Sequence, residues 1–308
     1  MRAPATGSVS SHQARNSHVR IPSARPPLPH RRSCGHVRDG ARQLRQRWWW
    51  KQTAAAKDNP YGLQQAGTLR VGTLTDAPPN VYLKNGKFTG FDNDLFTAVA
   101  AKLDLKVQFV GTDFSSLLAQ VKDKNFDLGS SSITITDARK KTVAFTNGYD
   151  FGYFGLDVPA GSGITAFTQL KGKRVTVVQG TVQDDYATKE GLNPIRVPDY
   201  NGALNQLKAG TAQAWVAPAE IGESSAKQSS GKIVLAAKQI SSAPTAFAIA
   251  QNNPVFMTAL NKALDEVIKD GTWTKLQNQY YPGRPLPTGF KPGSGSGGFP
   301  PLKAGTTS

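Results

Sequence analysis

A run of hydroxyl side chains that ends in an arginine is the clearest chemical feature of the sequence. Residues 130–141 read SSSITITDARKK, in which Ser131, Ser132 and Thr134 shortly precede Arg139. A guanidinium group carries a rigid fork of donors that matches a carboxylate and keeps its charge at any working pH. Hydroxyl groups and the positive end of a nearby helical turn add further donors. The pattern predicts a carboxylate-binding site centred on Arg139, with a surface ion pair to the neighbouring acid as the alternative.

The part of the sequence that holds this motif contains neither histidine nor cysteine. All of these residues lie near the start of the chain, at His12, His18, His30, His36 and Cys34. Their absence from residue 53 onward excludes imidazole bases, thiol nucleophiles, disulfides and the usual zinc ligands there. No cofactor and no metal site is therefore predicted. An enzyme would have to use acids such as Asp76 or Glu220.

Most of the positive charge also lies at the start of the chain. The formal net charge is +16, and residues 1–52 hold eleven Lys and Arg against one Asp. This segment has no apolar periodicity, so residues 1–60 are interpreted as disordered or as a mis-assigned basic segment. The rest of the chain carries 26 basic and 20 acidic residues. Nucleic-acid binding would depend on the basic segment alone, and no nucleic-acid partner is predicted.

From residue 68 the sequence alternates between strand and helix patterns. GTLRVGTL, KVQFV and FDLGSS read as strands, and FDNDLFTAVAAKL and FSSLLAQVKDK as helices, the first capped by Asp92. A second series of the same kind runs from KRVTVVQG to KIVLAA. The prediction is an α/β protein of two lobes, each a mostly parallel sheet flanked by helices. Ligands of such sheets bind beyond the carboxyl ends of the strands.

These segments resemble the family 3 extracytoplasmic solute-binding proteins that deliver amino acids to ABC importers. The matching pieces are GTLRVGT, GKFTGFDNDL, DFSSLLAQVKDKNFDLGSSSITITDARKKTVAFTNGY, LKGKRVTVVQGTVQDDY and LNKALDEVIKDGTWTKLQNQYY, in the order and spacing of the family. The resemblance extends from Thr68 to about Tyr281. It implies a two-lobed periplasmic-binding-protein-like fold of type II, with two segments that cross between the lobes near residues 150–159 and 241–251.

The resemblance also implies a division of the chain. Residues 68–153 would form the first part of lobe 1, residues 154–243 lobe 2, and residues 244–284 a return to lobe 1. The Pro-, Gly- and Ser-rich segment 285–308 is predicted to be a flexible tail.

Several site residues follow from matching positions in the family pattern. Arg139 would anchor the ligand carboxylate, and Phe114 would lie under the ligand side chain unless it is only a core residue. Gly180 and Thr181 begin a helix, with Gln183 one turn further, and are expected to donate to the ligand from lobe 2.

The sequence departs from the family where the ligand ammonium is usually bound. Pro218 stands in the place of the usual Asp, so another acceptor is needed. Glu220 is one candidate and Asp76 is the other, the alternative for Asp76 being an acid in an Asx-turn. Trp215 is interpreted either as an aromatic lid over the ligand or as a core residue.

The expected function is the capture of a small polar amino acid or related zwitterion by closure of the two lobes. The expected partners are this ligand and an ABC permease in the membrane, with the protein acting as a monomer outside the cytoplasm. No signal segment is recognised, and anchoring is left open. A ligand sensor for a membrane receptor and a dehydratase-like enzyme are the alternatives.

Overall fold

The computed structural model describes residues 58–241 and 243–295. The predictions for residues 1–57 and 296–308 therefore lie outside the described residues. In chain order the strands are β1 (Thr68–Thr73), β2 (Asp76–Ala77), β3 (Val81–Lys84), β4 (Lys87–Thr89), β5 (Lys106–Gly111), β6 (Leu128–Thr134), β7 (Ala144–Phe145), β8 (Tyr153–Pro159), β9 (Val175–Val178), β10 (Ile195–Val197), β11 (Ala214–Pro218), β12 (Ile233–Ile240) and β13 (Thr245–Ile249). The helices are α1 (Phe91–Lys102), α2 (Phe114–Lys122), α3 (Asp137–Lys140), α4 (Val182–Lys189), α5 (Tyr200–Lys208), α6 (Ala219–Gln228), α7 (Pro254–Lys269) and α8 (Thr272–Tyr280), with a 3-10 helix at Phe167–Leu170.

Two five-stranded sheets define the two lobes. Lobe 1 has the strand order β5-β1-β6-β13-β7, and lobe 2 has the order β10-β9-β11-β8-β12. The two-lobed α/β fold expected from the sequence is confirmed. The sheets are mixed rather than mostly parallel, because β13 in lobe 1 and β8 in lobe 2 run antiparallel to both of their neighbours.

The chain crosses between the lobes at two adjacent places. It leaves lobe 1 after β7 and enters lobe 2 at β8, and it returns between β12 and β13. The two crossings meet at an isolated bridge between Asp150 and Thr245, where Thr245 N donates to Asp150 O at 2.8 Å. The segment around Asp150 is therefore held at the junction of the lobes.

The apolar pattern of α1 shows why these residues form a helix here. The stripe of Leu95, Phe96, Val99 and Ala100 is fully buried against lobe 1, as its spacing predicts. Asp92 is not the cap of this helix, contrary to expectation. Gly90 occupies the N-cap position, and Asp92 lies inside the helix with its carboxylate buried.

The two lobes are in contact across the cleft. One apolar cluster joins Leu74 and Phe114 of lobe 1 to Tyr200 and Ile221 of lobe 2. The described arrangement is therefore closed. Among the described residues, no helix combines the length and the hydropathy that a membrane crossing requires.

Part of the predicted tail packs on lobe 1. Gly293 N donates to Gly148 O at 2.8 Å, and the ring of Phe290 lies 5.4 Å from that of Phe151. Residues 285–295 thus continue from α8 back toward the junction of the lobes.

Candidate functional site

A cavity of about 50 Å³ lies between the lobes. Its walls include eight of the nine residues that the sequence predicts as ligand-binding, namely Phe114, Ser131, Ser132, Thr134, Arg139, Thr181, Gln183 and Glu220. The predicted set therefore comes together from four separate parts of the chain. Only Asp76 is not part of the wall.

Arg139 is positioned by the short helix α3 at the end of β6. Thr136 caps this helix by accepting from Arg139 N at 3.2 Å. The guanidinium donates through Nη1 to Thr134 O at 2.8 Å and through Nη2 to Gly180 O of lobe 2 at 3.0 Å. Its Cζ lies 5.1 Å from the centre of the Phe114 ring. Backbone carbonyls and an aromatic face thus hold the cation in the wall of the cavity.

The charge of Arg139 has no acidic partner. The residue is only 8% exposed, and within the described ranges no carboxylate forms an ion pair with it. Burial lowers the pKa of Arg139 to about 10, although Asp185 and Tyr200 offset part of this effect. A buried cation that only carbonyl groups partner is costly. An anion in the cavity would remove that cost.

The hydroxyl groups before Arg139 point mainly into the protein. Ser132 Oγ donates to Asp92 Oδ2 at 2.5 Å and accepts from Asn80 Nδ2 at 2.8 Å. Ser131 Oγ accepts from Leu74 N at 3.0 Å. The hydroxyl proton of Ser132 is therefore already donated to Asp92 and is not free for a ligand.

The carboxyl group of Asp92 holds this wall together from behind. Tyr149 OH donates to Asp92 Oδ1 at 2.5 Å, on the opposite side from Ser132. Burial raises the pKa of Asp92 to about 7, although hydrogen bonds from Ser132 and Tyr149 act in the other direction. This network fixes the bulged strand end, where Ser132 has a φ of 45°.

The lobe 2 wall is the start of α4. Thr181 caps this helix, accepting from Asp184 N at 3.2 Å and donating to Val178 O at 2.7 Å. The hydroxyl of Thr181 is therefore committed to the protein. The side chain of Gln183 is buried, and no hydrogen bond from another described residue reaches it. Gln183 is the side chain of this wall that is free to bind a ligand.

A second charged part of the cavity wall, which we call the acidic end, holds carboxylates. Asp150 of the first crossing and Glu220 in the first turn of α6 both line it. Arg284 binds both carboxylates, with Nη2 to Asp150 Oδ1 at 2.5 Å and Nη1 to Glu220 Oε1 at 2.9 Å. We call these three residues the Arg284 cluster. Burial raises the pKa of Glu220, although Arg284 acts in the opposite direction.

Sequence reasoning missed two members of this cluster. Asp150 falls in the crossing segment that the family resemblance implied, and that position was the signal that could have identified it. Arg284 lies 134 residues further along the chain, after α8, and carries no local motif. Tyr200, at the start of α5, also lines the cavity without having been predicted.

Asp76 is placed differently from the prediction of an ammonium acceptor. Its Oδ2 accepts from Asn201 N at 2.8 Å, in the first turn of α5 in lobe 2. The positive end of this helix attracts the carboxylate away from the cavity. Burial raises the pKa of Asp76, and the hydrogen bond from Asn201 opposes that shift.

Trp215 is a core residue rather than a lid. It is fully buried in β11, and its ring centre lies 6.3 Å from that of Tyr200. Pro218 ends the same strand and lines the cavity, so the position of the usual acid is filled by an apolar ring. Within residues 58–241 and 243–295, no group of three His, Cys, Asp or Glu side chains could hold a metal ion.

Comparisons with known proteins agree with this architecture. Residues 69–283 match the model of the bacterial extracellular solute-binding proteins, family 3. The probable amino-acid-binding protein YxeM of Bacillus subtilis (strain 168) is 30% identical over 238 residues, which cover 74% of this chain and 89% of that protein. The lysine/arginine/ornithine-binding periplasmic protein of Escherichia coli (strain K12) is 30% identical over 227 residues, covering 70% of this chain and 87% of that protein.

Solved structures give the same result. An ancestral arginine-binding protein bound to arginine is 32% identical, with a TM-score of 0.67, and covers 70% of this chain and 98% of its own. An ancestral arginine-binding protein bound to glutamine is 31% identical, with a TM-score of 0.68, and covers 71% of this chain and all of its own. The match spans more than half of the chain and includes both walls of the cavity. The chain belongs to the bacterial extracellular solute-binding proteins of family 3.

Proposed function

We propose that this protein captures a small amino acid or a related zwitterion between its two lobes and presents it to an ABC permease. The ligand carboxylate binds Arg139, and the ligand ammonium binds the carboxylates of Asp150 and Glu220. Gln183 adds a hydrogen bond from lobe 2. Residues 68–153 and 244–284 act as lobe 1, and residues 154–243 act as lobe 2.

The observation that carries this proposal is the unpaired charge of Arg139. The cavity has this cation at one end and two carboxylates that share a single arginine at the other. The first end therefore lacks one negative charge and the second lacks one positive charge. A zwitterion supplies both, and each of its charges gains charge-assisted hydrogen bonds in a site shielded from water.

The size of the cavity supports a small ligand. Its volume is about 50 Å³, and side chains of both lobes line it. Relatives described as binding lysine, arginine and ornithine, and a structure bound to glutamine, support amino acids as the ligand class. The relatives are described as binding proteins, which supports binding and release rather than catalysis.

The route of the ligand follows from the division of the groups between the lobes. Lobe 1 supplies Arg139 and Phe114, and lobe 2 supplies Gln183 and Glu220. A ligand that contacts both lobes binds the closed form better than the open form and shifts the population toward closure. The closed monomer, outside the cytoplasm, is the form that a permease would recognise. Two relatives described as periplasmic support this location.

Calorimetric titration of the wild-type protein with the twenty common amino acids tests the proposal. At least one neutral amino acid should bind with one-to-one stoichiometry. Arg139→Ala should lower its affinity by at least about 100-fold, because two charge-assisted hydrogen bonds contribute about 1.5–3 kcal/mol each. Lys140→Ala is the matched control, since Lys140 is on the same helix and pairs with the exposed Asp137. Binding that is unaffected by Arg139→Ala would contradict the proposal.

A further inference from the structure

Arg284 lies beside the cavity, yet it comes from the segment after the last helix. Its side chain is 11% exposed, and its Cζ lies 3.9 Å from the centre of the Tyr281 ring. Two hydrogen bonds fix the guanidinium between Asp150 and Glu220, which belong to the crossing segment and to lobe 2. The aromatic face and the two carboxylates hold Arg284 in one position.

The formal charges around the cavity are few. In the described part of the chain, the charged side chains of the wall are Arg139, Asp150 and Glu220. Arg284 cancels one of the two negative charges at the acidic end. Within the wall itself one net negative charge remains at this end, which matches a single ligand ammonium. The carboxyl group of Asp92 lies behind the wall and interacts with both Asp150 and Arg284, and burial raises its pKa to about 7.

A ligand with a second positive charge would therefore find no further carboxylate in the described wall. Asp76 is the remaining acid among the predicted site residues, but it lies outside the wall and its carboxylate accepts from Asn201 N at the start of α5. A second cation at the acidic end would also meet the positive charge of Arg284. Desolvation of an unpaired ammonium or guanidinium group opposes binding strongly.

We propose that Arg284 is a specificity-determining residue that restricts the ligand to zwitterions without a charged side chain. It does so by occupying one oxygen of Asp150 and one of Glu220. Two carboxylate oxygens remain for the ligand ammonium, one on each residue. This inference rests on the proposed function, because it names which amino acids the same cavity accepts.

The test compares ligand preference in wild-type protein and in Arg284→Gln. Calorimetry measures the affinities of L-alanine, L-serine and L-glutamine as neutral ligands and of L-lysine and L-arginine as cationic ligands. The quantity compared is the ratio of the affinity of the best neutral ligand to that of the best cationic ligand. Wild-type protein should prefer the best neutral ligand over both cationic ligands by at least about tenfold. Arg284→Gln leaves the acidic end with two negative charges, so the ratio should shift toward lysine or arginine by at least about tenfold.

Two further variants separate the effect of the charge at position 284 from an effect on folding. Arg284→Lys keeps the charge and should keep the wild-type preference. The double variant Arg284→Gln with Glu220→Gln has one negative charge at the acidic end, as in wild-type protein. Its preference should return toward neutral ligands, and it avoids leaving two unpaired carboxylates if the single variant does not fold.

The outcomes are distinguishable. A wild-type protein that binds lysine or arginine more tightly than every neutral amino acid would overturn the role of Arg284 and leave the proposed function intact. A ratio of neutral-ligand to cationic-ligand affinity that is unchanged in Arg284→Gln would also overturn the role of Arg284 and leave the proposed function intact. A wild-type protein that binds no amino acid would contradict the proposed function itself.

Discussion

Arg139 is buried and Arg284 largely buried beside the interlobe cavity, but only Arg284 is paired with carboxylates. Arg284 binds Asp150 and Glu220, whereas the guanidinium of Arg139 binds the carbonyl oxygens of Thr134 and Gly180. The two arginines thus carry the same charged group, but one has negatively charged partners and the other only neutral ones. Arg284 has carboxylate partners within the protein, whereas under the proposed function Arg139 gains one from the ligand.

Replacing each arginine by methionine should therefore affect stability in different ways. In ligand-free protein, Arg139→Met should leave the melting temperature unchanged or raise it, because a buried unpaired cation is removed. Arg284→Met should lower the free energy of unfolding by about 3–5 kcal/mol, since two buried carboxylates lose their partner. Calorimetric or fluorescence melting curves without ligand compare the two variants. A larger loss of stability in Arg139→Met than in Arg284→Met would contradict this account of the two charges.

Two aspartates from different lobes bind the first turn of the same helix, α5. Asp199 of lobe 2 accepts from Gly202 N at 2.6 Å, and Asp76 of lobe 1 accepts from Asn201 N at 2.8 Å. The first contact lies within lobe 2, whereas the second joins lobe 1 to lobe 2. Asp76 is therefore expected to stabilise the closed form.

Asp76→Ala should weaken ligand affinity by about fivefold, since a helix-capping contact contributes about 1 kcal/mol. Asp199→Ala is the matched control, because it removes a contact of the same kind within one lobe. It should lower the melting temperature and leave affinity nearly unchanged. Equal effects of the two variants on affinity, measured by calorimetry, would show that Asp76 has no special role in closure.

The sequence predicted what depends on local pattern. The apolar stripe of α1, the cap at Thr181 and the turn that carries Arg139 all follow from residues close together in the chain. The position of Asp92 just before the apolar stripe of α1 predicts a helix cap. In the structure the carboxylate of Asp92 is buried instead, and it accepts hydrogen bonds from the hydroxyl groups of Ser132 and Tyr149.

Of the acidic end of the cavity, the sequence identified Glu220 but not its contact with Arg284. Arg284 meets Asp150 and Glu220 across 134 and 64 residues of chain. No spacing rule connects such positions, because the contact depends on how the last segment returns to the junction of the lobes. Asp76 was misplaced for a similar reason, since its partner helix belongs to the other lobe.

Phe114 supports the guanidinium of Arg139 with its ring face. Phe114→Leu keeps an apolar side chain but removes the ring that positions Arg139 and lines the cavity. If the ring contributes about 0.5–2 kcal/mol to the ligand-bound form over the free form, ligand affinity should fall by about two- to thirtyfold. Phe109→Leu is the control, because Phe109 is a partly buried aromatic that packs on Phe88 away from the cavity. An affinity loss in Phe109→Leu as large as in Phe114→Leu would indicate a general packing effect.

Asp157 of β8 gives the fold a dependence on pH that is unrelated to the ligand. It is fully buried against Gly222 of α6, and neither carboxylate oxygen has a hydrogen-bond partner among the described residues. Burial raises the pKa of Asp157 from 3.8 to about 8, and Glu223 adds to the shift. Between these two pH values the folded protein holds a proton that the unfolded chain has released.

The free energy of unfolding should therefore fall as the pH rises from about 4 to 8, by up to about 1.4 kcal/mol per pH unit for this one group. Asp157→Asn cannot lose that proton and should be more stable than wild-type protein at pH 8 but not at pH 4. Asp92 contributes a slope of the same sign in both proteins, so it cancels in the difference. Denaturant titrations at pH 4 and pH 8 measure the difference in free energy of unfolding between Asp157→Asn and wild-type protein. Asp113→Asn, at an exposed position, is the control. A stability difference between the two proteins that does not depend on pH would contradict the role of Asp157 in the pH dependence.

The central claim is that the cavity binds a zwitterion through Arg139 at one end and through Asp150 and Glu220 at the other. Calorimetry with the tightest-binding amino acid, its carboxamide and its N-acetyl derivative tests both ends at once. The carboxamide lacks the negative charge and the N-acetyl derivative lacks the positive charge. Each analogue should bind at least about 100-fold more weakly than the parent, since each leaves a buried charge unpaired. A carboxamide that binds as tightly as the parent amino acid would contradict the claim.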